Sequence, residues 1–323
     1  MARSRGLLYN SSRQNKVRVV LGSPVNAVPK PWLYFHVSAV IVNALEAKRD
    51  PRAALAYEGE LWLDSGGYQI LKRGLPVDVD KIAEIYRRVD AQLYFSLDIP
   101  PSLGDPPEEA GKKFEKSYRN WLRLRRAVGD AVVPVLHIYR VPALFEKYLA
   151  LYRDAPALAV GAAVPYVLIT RGAPRGSREL AIRLITTARR EFKGPLHVLG
   201  MGSPAVTPIL KAIGVDSTDS ATWRLKAAYG KVLLPGGGER HVTDRNVNFG
   251  KAKPKNGELE ELYGFLAANG FPALGGFFER IRTSFEYRAL VNAFVVIHST
   301  SHTPRPPTFK KLYALVAQSA TRN

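Results

Sequence analysis

The sequence contains no cysteine and only two methionines in 323 residues. The absence of cysteine excludes disulfides, thiol nucleophiles and thiolate zinc sites. The longest apolar stretch lies around Val37 to Leu45, far short of the roughly 20 residues that a membrane-spanning helix needs. The first 15 residues are polar and basic, without the apolar core of a signal peptide. We therefore expect no membrane association and, by default, a cytoplasmic protein.

Acidic residues are scarce relative to basic ones. The chain has 28 Asp and Glu against 47 Lys and Arg, which gives a formal net charge of +19. Such an excess favours a polyanionic partner, with nucleic acid as the first candidate and an anionic membrane as the second. A general solubility adaptation stays open, because net charge carries no information about the fold or the chemistry.

Short apolar runs, polar loops and helical patterns follow one another along the chain. Glu108–Val128 and Ser177–Phe192 have the apolar stripe of amphipathic crossover helices. Alternation of strands and helices predicts a parallel sheet, and for this chain length we expect an α/β fold of the (β/α)8 TIM-barrel type. The apolar runs are Val17–Leu21, Leu61–Leu63, Leu93–Leu97, Val132–Leu136, Leu158–Ala162, Leu196–Leu199 and Gly214–Val215.

The pattern changes after Tyr229. A glycine turn at Gly236–Gly238 separates two short runs typical of a β-hairpin insertion, Lys231–Leu234 and Arg240–Val242. The turn lacks the Lys-Ser/Thr pair of a phosphate-binding loop. Helices are then predicted at Glu258–Asn269, Phe277–Val291 and Thr308–Gln318. No linker separates these parts, so we predict one domain, 1–323, with a C-terminal helical extension from about residue 257.

Three aspartates stand at or after the ends of apolar runs, where the active site of such a barrel lies. They are Asp64, Asp98 and Asp219. Each alone is well explained as a helix N-cap. Three at the same rim favour a set that comprises a nucleophile and a general acid/base. Gly66 and Gly67 after the first of them permit close approach to a ligand, and Tyr68 offers a flat face for a planar base.

The segment Asp64-Ser65-Gly66-Gly67-Tyr68-Gln69 resembles a signature of the tRNA-guanine transglycosylases. Further segments follow in that family's order, and the resemblance covers roughly Leu61 to Arg240. These segments are Ser96-Leu97-Asp98, Val135-Leu136-His137, Ala159-Val160-Gly161-Ala162, His197 to Pro204 and Gly214 to Asp219.

The resemblance implies a role for each matching residue. Asp219 would be the nucleophile that expels guanine and forms a covalent glycosyl-enzyme intermediate. Asp64 would be the acid/base that protonates the leaving base and deprotonates the incoming one. The remaining matches would bind the base: Asp98, Tyr68, Gly66, Gly67, His137, Gly161, Leu199 and Met201.

Two departures from the family pattern modify these expectations. The Cys-x-Cys-x-x-Cys…His zinc site is absent, so we expect no zinc and no other cofactor. The Pro-Thr-Arg after the nucleophile is replaced by Ser220-Ala221-Thr222-Trp223, with Ala228-Tyr229-Gly230 following. This pattern is similar to the branch that inserts 7-deazaguanines into DNA. The leading interpretation is exchange of guanine in DNA for a free base such as 7-cyano-7-deazaguanine, and the alternative is the same exchange in tRNA.

Nucleic acid would have to present its target nucleotide unstacked, because base and anomeric carbon must enter the pocket. Basic loops could hold its phosphates in a sequence-independent manner, although solvated charge clusters explain them equally well. The candidate nucleic-acid contacts are Arg171, Arg175, Arg178, Trp223, Arg224, Lys251, Lys253 and Lys255.

Two other classes of protein stay open at this point. A non-catalytic nucleic-acid-binding subunit could retain the barrel without its chemistry, although the presence of all three aspartates favours an enzyme. A metal-dependent hydrolase is disfavoured because the histidines show no HxH spacing, and no metal ligand is predicted. Family members often dimerise through the zinc region, so a homo-oligomer is an option that the sequence does not decide.

Overall fold

A computed structural model, which describes residues 16–47, 50–67, 74, 78–168, 173–244 and 250–320, contains one sheet of nine parallel strands. Six of the seven predicted apolar runs overlap strands of this sheet, but Gly214–Val215 does not, because Gly214 ends a helix in a left-handed conformation and the strand begins at Ser217. The strand order is β5-β4-β3-β2-β1-β9-β8-β7-β6. The strands are β1 (Arg18–Gly22), β2 (Ala39–Asn43), β3 (Glu60–Asp64), β4 (Leu93–Phe95), β5 (Val132–Val133), β6 (Val135–His137), β7 (Leu158–Gly161), β8 (Leu196–Val198) and β9 (Ser217–Ser220).

The two ends of this sheet are consecutive pieces of one extended segment. Only Pro134 separates β5 from β6, and proline interrupts a ladder because it has no N–H to donate. β5 pairs with β4 on one side while β6 pairs with β7 on the other, and the carbonyl of Pro134 accepts from the Ala159 amide at 3.0 Å. Counted as one position, the pair closes an eight-membered parallel barrel. The predicted α/β barrel of TIM type is confirmed.

Helices follow the strands around the outside. The predicted helices at Glu108–Val128 and Ser177–Phe192 are present within one residue of their expected ends. The described helices are α1 (Arg52–Leu55), α2 (Val79–Arg88), α3 (Pro107–Val128), α4 (Pro142–Leu151), α5 (Ala163–Val167), α6 (Ser177–Glu191), α7 (Thr207–Ile213), α8 (Thr222–Ala228), α9 (Glu258–Ala268), α10 (Phe277–Thr283), α11 (Phe285–His298) and α12 (Pro307–Ala320). None of the helices in the described ranges has the length and apolar character to cross a membrane.

Two expectations about individual elements need correction. The predicted helix Phe277–Val291 is two helices, because Ser284 is extended and its side chain caps the second of them by accepting from the Tyr287 amide. The strand β2 was not among the predicted runs, although it lies within the apolar stretch Val37 to Leu45.

The barrel interior is filled by alternate residues of the strands, as the period of a β-strand requires. An apolar cluster inside the barrel contains Trp62, Phe95 and Val135, together with small residues such as Ala159. A second, larger cluster lies between the strands and the surrounding helices. Because side chains alternate, the residue two positions beyond each interior apolar residue also faces inward, at the carboxyl end of its strand.

The predicted hairpin is formed by β10 (Lys231–Leu233) and β11 (Glu239–His241), which pair antiparallel. One buried polar side chain of α11 fastens the hairpin to the C-terminal helices, and a second joins α11 to α8 and α10. Asn292 accepts from the Leu233 amide and donates to the carbonyls of Trp223 and Lys231. Arg288, 2% exposed, donates to the Ala227 carbonyl and to two carbonyls at the end of α10. The extension therefore packs against the barrel rather than standing apart from it.

Candidate active site

The carboxyl ends of the strands bring polar residues together at one mouth of the barrel. Asp64 follows interior Trp62 by two positions, and His137 follows interior Val135 in the same way. Parallel register places Asn43 beside Asp64, and His137 beside Gly161. Because side chains alternate along a strand, the polar residue that ends each of these apolar runs points into the barrel mouth. Together these residues form a ring of functional groups.

The carboxyl group of Asp64 has a raised pKa. Burial raises the pKa of Asp64, and the negative charges of Asp98 and Asp219 raise it further, to about 7. Hydrogen bonds from the Gly66 and Ser65 amides act in the opposite direction but do not compensate. A carboxyl group that is partly protonated near neutral pH can both donate and accept a proton, as a general acid/base must.

Asp98 is paired with a histidine that is completely buried. His137 Nε2 lies 2.9 Å from Asp98 Oδ2, and the exposed fractions of the two side chains are 0% and 13%. The ring of Phe114 meets the imidazole edge-on at 5.6 Å and fixes its orientation. His137 Nδ1 is buried and has no partner among the described residues. The Asp98 carboxylate is therefore held in place by His137 and keeps a small exposed fraction.

Asp219 lies on β9 with its carboxylate held from one side. The Gly200 amide donates to Asp219 Oδ1 at 2.7 Å, and His197 Nε2 lies 3.2 Å from the same oxygen. The Asp219 carbonyl accepts from the Gly202 amide at 2.9 Å. A Cβ at Gly202 would lie 2.7 Å from that carbonyl oxygen, so the close approach requires glycine here. The predicted nucleophile thus sits in a rigid setting.

The Gly66-Gly67 segment packs tightly against neighbouring strand ends. Gly66 has a φ of 76°, in the left-handed region that favours glycine, and a Cβ there would meet the Asn43 amide group at 2.8 Å. A Cβ at Gly67 would lie 2.6 Å from Asp98 Oδ1. These glycines therefore allow the Asp64, Asp98 and Asn43 side chains to converge. Tyr68, predicted to stack on the base, lies outside the described residues.

Of the other predicted base-binding residues, Gly161 and Leu199 lie beside His137, whereas Met201 packs in the larger cluster between the strands and the helices. A Cβ at Gly161 would approach His137 Cδ2 at 3.5 Å and Leu199 Cδ1 at 3.6 Å, which places all three together. Leu199 is half-buried and packs on the interior cluster, whereas Met201 is 2% exposed. Ala162, which directly follows Gly161, has a φ of 56°. A non-glycine residue in this region costs about 1–2 kcal/mol, and such strain is concentrated at functional sites.

Three functional candidates were not found by sequence reasoning. Asn43 Nδ2, at the carboxyl end of β2 beside Asp64, and Ser96 Oγ, just after β4, are buried and have no partner among the described residues. His197 opens one of the segments that resemble the family, but the sequence assigned it no role. The signal for Asn43 was present, because it too ends an apolar run, but β2 was not recognised as a strand.

The predicted basic residues are only partly available to a nucleic acid. Arg175, Lys251 and Lys255 are exposed. Arg178 is engaged, since its Nε donates to the Val167 carbonyl at 2.8 Å and its guanidinium stacks on the Phe309 ring. Lys253 Nζ donates to the Thr243 carbonyl at 2.9 Å. Arg171 lies outside the described residues.

Trp223 does not lie on the surface. Its side chain is 0% exposed, and its indole donates to the Gly22 carbonyl at 3.0 Å. The expectation that it contacts nucleic acid is corrected by this burial, because Trp223 joins α8 to the end of β1. Arg224 lies with its guanidinium 5.5 Å from the Phe285 ring centre and is half-buried. Trp223 and Arg224 thus pack against β1 and α11, respectively.

The described ranges contain no group of three His, Asp or Glu side chains arranged to hold a metal ion. What they contain instead is an α/β barrel with three carboxylates at one mouth, two of which face a buried histidine. These features together define the class of barrel enzymes that perform carboxylate-based acid/base or nucleophilic chemistry.

Comparison with known proteins narrows this class. No protein-family model matches the chain. It is 29% identical over 239 residues to uncharacterized protein 306 of Sulfolobus islandicus rod-shaped virus 1, covering 72% of this chain and 69% of that protein. It is 30% identical over 222 residues to the tRNA-guanine(15) transglycosylase of Pyrobaculum aerophilum and 27% identical over 232 residues to that of Korarchaeum cryptofilum. The chain is thus similar in sequence to two proteins named tRNA-guanine(15) transglycosylase.

The similarity to the named transglycosylases is confined to part of their length. The matched segments cover 64% and 65% of this chain but only 44% and 38% of the Pyrobaculum and Korarchaeum proteins. The chain thus spans less than half the length of these relatives.

Proposed function

We propose that this protein is a guanine transglycosylase, a pentosyltransferase that exchanges guanine in a nucleic acid for another base through a covalent glycosyl-aspartate. The observation that carries the proposal is that three carboxylates lie at one barrel mouth in three different environments. Asp64 has a pKa raised to about 7, Asp98 is anchored by a buried histidine, and Asp219 is held through a single oxygen. The similarity to named transglycosylases supports the same activity.

The proposed reaction has two balanced displacements. In the first, an oxygen of Asp219 forms a bond to C1′ of the ribose or deoxyribose, and the bond from C1′ to N9 of guanine breaks. The bond's electron pair leaves with the base, which takes a proton from Asp64. In the second, Asp64 removes the N9 proton of the incoming base, and N9 attacks C1′ and releases Asp219. A covalent carboxylate intermediate divides one difficult displacement into two easier ones.

Recognition of the base is assigned to the Asp98 side of the mouth. A carboxylate accepts hydrogen bonds, and guanine presents two N–H donors along one edge, so Asp98 suits that edge. His137 donates to Asp98 Oδ2 and leaves Oδ1, near Gly67, toward the base. Gly161 provides space beside the histidine. This arrangement accepts guanine and 7-deazaguanines alike, because they share that edge.

The nucleic acid that carries the target guanine has two candidates. The names of the relatives favour tRNA as the acceptor. DNA, with 7-cyano-7-deazaguanine as the incoming base, is the second candidate, because the residues after Asp219 resemble the DNA-modifying branch. In either case the target nucleotide must leave its stack to reach the mouth.

The deciding experiment is incorporation of radiolabelled guanine by the purified protein into bulk tRNA, duplex DNA and single-stranded DNA in parallel. We expect label in one nucleic acid class. Label in tRNA alone assigns the tRNA reaction, and label in DNA alone assigns the DNA reaction. No label in any of them, with nucleic-acid binding intact, would overturn the proposal in favour of a non-catalytic binding protein.

Asp219→Asn tests the nucleophile. We expect it to abolish the covalent protein–nucleic acid adduct seen on denaturing gels, while nucleic-acid binding persists. Asp216→Asn is the matched control, because Asp216 stands before β9, at the opposite end from the mouth, where it pairs with Arg189 at 3.0 Å and accepts from the Leu196 amide. Normal exchange by Asp219→Asn would refute the assignment.

A further inference from the structure

We propose that His197 is a positioning residue, which orients Asp219 so that one chosen carboxylate oxygen, Oδ2, attacks the sugar. The proposal rests on the proposed function, because it assigns the attack to Asp219. It does not follow from the sequence resemblance, which gives His197 no role.

The hydrogen bonds to Asp219 are one-sided. The Gly200 amide and His197 Nε2 both approach Oδ1, at 2.7 and 3.2 Å, whereas Oδ2 accepts no hydrogen bond from the described residues. Two donors on one oxygen fix the rotation of the carboxylate about its Cβ–Cγ bond. Oδ2 is then the oxygen left free to form a bond to C1′.

The tautomer of His197 follows from its two neighbours. A carboxylate cannot donate, so the imidazole must carry a proton on Nε2 to bond with Asp219. In the neutral ring, Nδ1 is then an acceptor, and the hydroxyl of Ser217, 2.9 Å away, can donate to it. Ser217, His197 and Asp219 thus form a short chain in which each donor faces an acceptor.

The imidazole is also fixed mechanically. His197 is 5% exposed, and its ring lies 5.3 Å from that of Trp62 and 5.1 Å from that of Phe95. Both aromatic rings belong to the interior cluster of the barrel. The barrel core therefore determines where Nε2 points, and through it where the carboxylate of Asp219 points.

The kinetic test compares three variants under single-turnover conditions, with the rate of adduct formation and the binding of nucleic acid measured separately. His197→Phe keeps an aromatic ring but removes the donor, and we expect the rate to fall on the order of 100-fold with binding little changed. His197→Gln keeps an amide donor near Nε2 and should restore the rate to within about tenfold of wild type. His298→Phe is the control, since His298 stacks on Phe294 and has no contact with the site.

A purely structural role for His197 gives a different pattern. His197→Phe with the wild-type rate, or His197→Gln as slow as His197→Phe, would overturn the proposal. In the second case the ring itself would be needed rather than its Nε2–H.

A spectroscopic measurement keeps the proposal testable even if the variants fail to fold or if no base exchange is found. The chain has six histidines, so selective ¹⁵N labelling of imidazoles gives a small spectrum. We expect the two buried imidazoles that face carboxylates, His137 and His197, to carry a proton on Nε2, and only the His197 signal to change its shift in Asp219→Asn. Absence of that change would contradict the positioning role. Its presence without base exchange would leave the His197 geometry standing and refute only the proposed function.

Discussion

Single residues at the mouth differ in chemistry because their surroundings differ. Asp64 and Asp219 have the same side chain, yet burial and two neighbouring charges raise the pKa of Asp64 to about 7. Asp219 instead receives two donors on one oxygen. The different surroundings of these two identical groups suit the two roles that we propose for them, proton carrier for Asp64 and nucleophile for Asp219.

The raised pKa of Asp64 predicts the pH dependence of adduct formation. Asp64 must be protonated to help guanine leave, so the single-turnover rate should be level below about pH 7 and fall about tenfold per pH unit above it. Asp98→Asn removes a negative charge that raises this pKa, so its decline should begin at lower pH. Stopped-time adduct assays from pH 5 to 9 measure both curves, with pH limits chosen to be about two units either side of 7.

The control for this shift is Asp216→Asn, which makes the same chemical change at the far end of β9 and should leave the pH curve in place. A decline that starts at the same pH in wild type and Asp98→Asn would contradict the electrostatic origin of the Asp64 shift.

Some site residues could be predicted from sequence and others could not. Asp64 and Asp219 are visible because each marks a strand end within a recognisable string. His197 is different, since its contact with Asp219 depends on the register of β8 against β9 and on the aromatic rings beneath it. The residues next to His197 in sequence predict neither this register nor the position of the aromatic rings. Burial of Trp223 was missed for the same reason, because its partner, Gly22, is distant in the chain.

At the level of elements, apolar runs predicted most strands, and amphipathic periodicity predicted the long helices. The failures have physical causes. The run that contains β2 is long and apolar, so it does not show the strand boundaries that polar flanks provide. The break at Ser284 does not interrupt the apolar pattern, because apolar residues continue on both sides of it. A single extended serine is enough to end one helix and cap the next.

The junction between the hairpin and α11 predicts a large stability effect from one side chain. Asn292→Ala removes three buried hydrogen bonds that join α11 to β10 and to the first turn of α8. Loss of buried partners costs about 1–3 kcal/mol, so we expect the free energy of unfolding to fall by about 2 kcal/mol. Urea denaturation measures the change.

Asn256→Ala is the matched control, since Asn256 is exposed in the loop before α9, and it should change the unfolding free energy by less than about 0.5 kcal/mol. Equal stability of the two variants would show that α11 is not fastened through Asn292.

The whole molecule carries a net charge of +19, and this charge acts at two ranges. Long-range attraction of a polyanion depends on the total charge and is screened within about 10 Å at 0.1 M salt. Direct phosphate contacts depend on where individual cations lie, and each contact releases counterions. The two contributions can be separated by variants that change the total charge equally but at different places.

Lys251 and Lys255 are exposed in the loop before α9, whereas Lys310 and Lys311 are exposed at the start of α12. Replacing either pair by alanine lowers the net charge by the same two units. If the loop before α9 contacts phosphates, only its variant should reduce the slope of log affinity against log salt concentration, by about 1 for each lost contact. Fluorescence anisotropy with labelled nucleic acid over a range of salt concentrations measures the slopes. Equal slopes in both variants would assign these lysines to long-range attraction alone and place the phosphate contacts elsewhere on the protein.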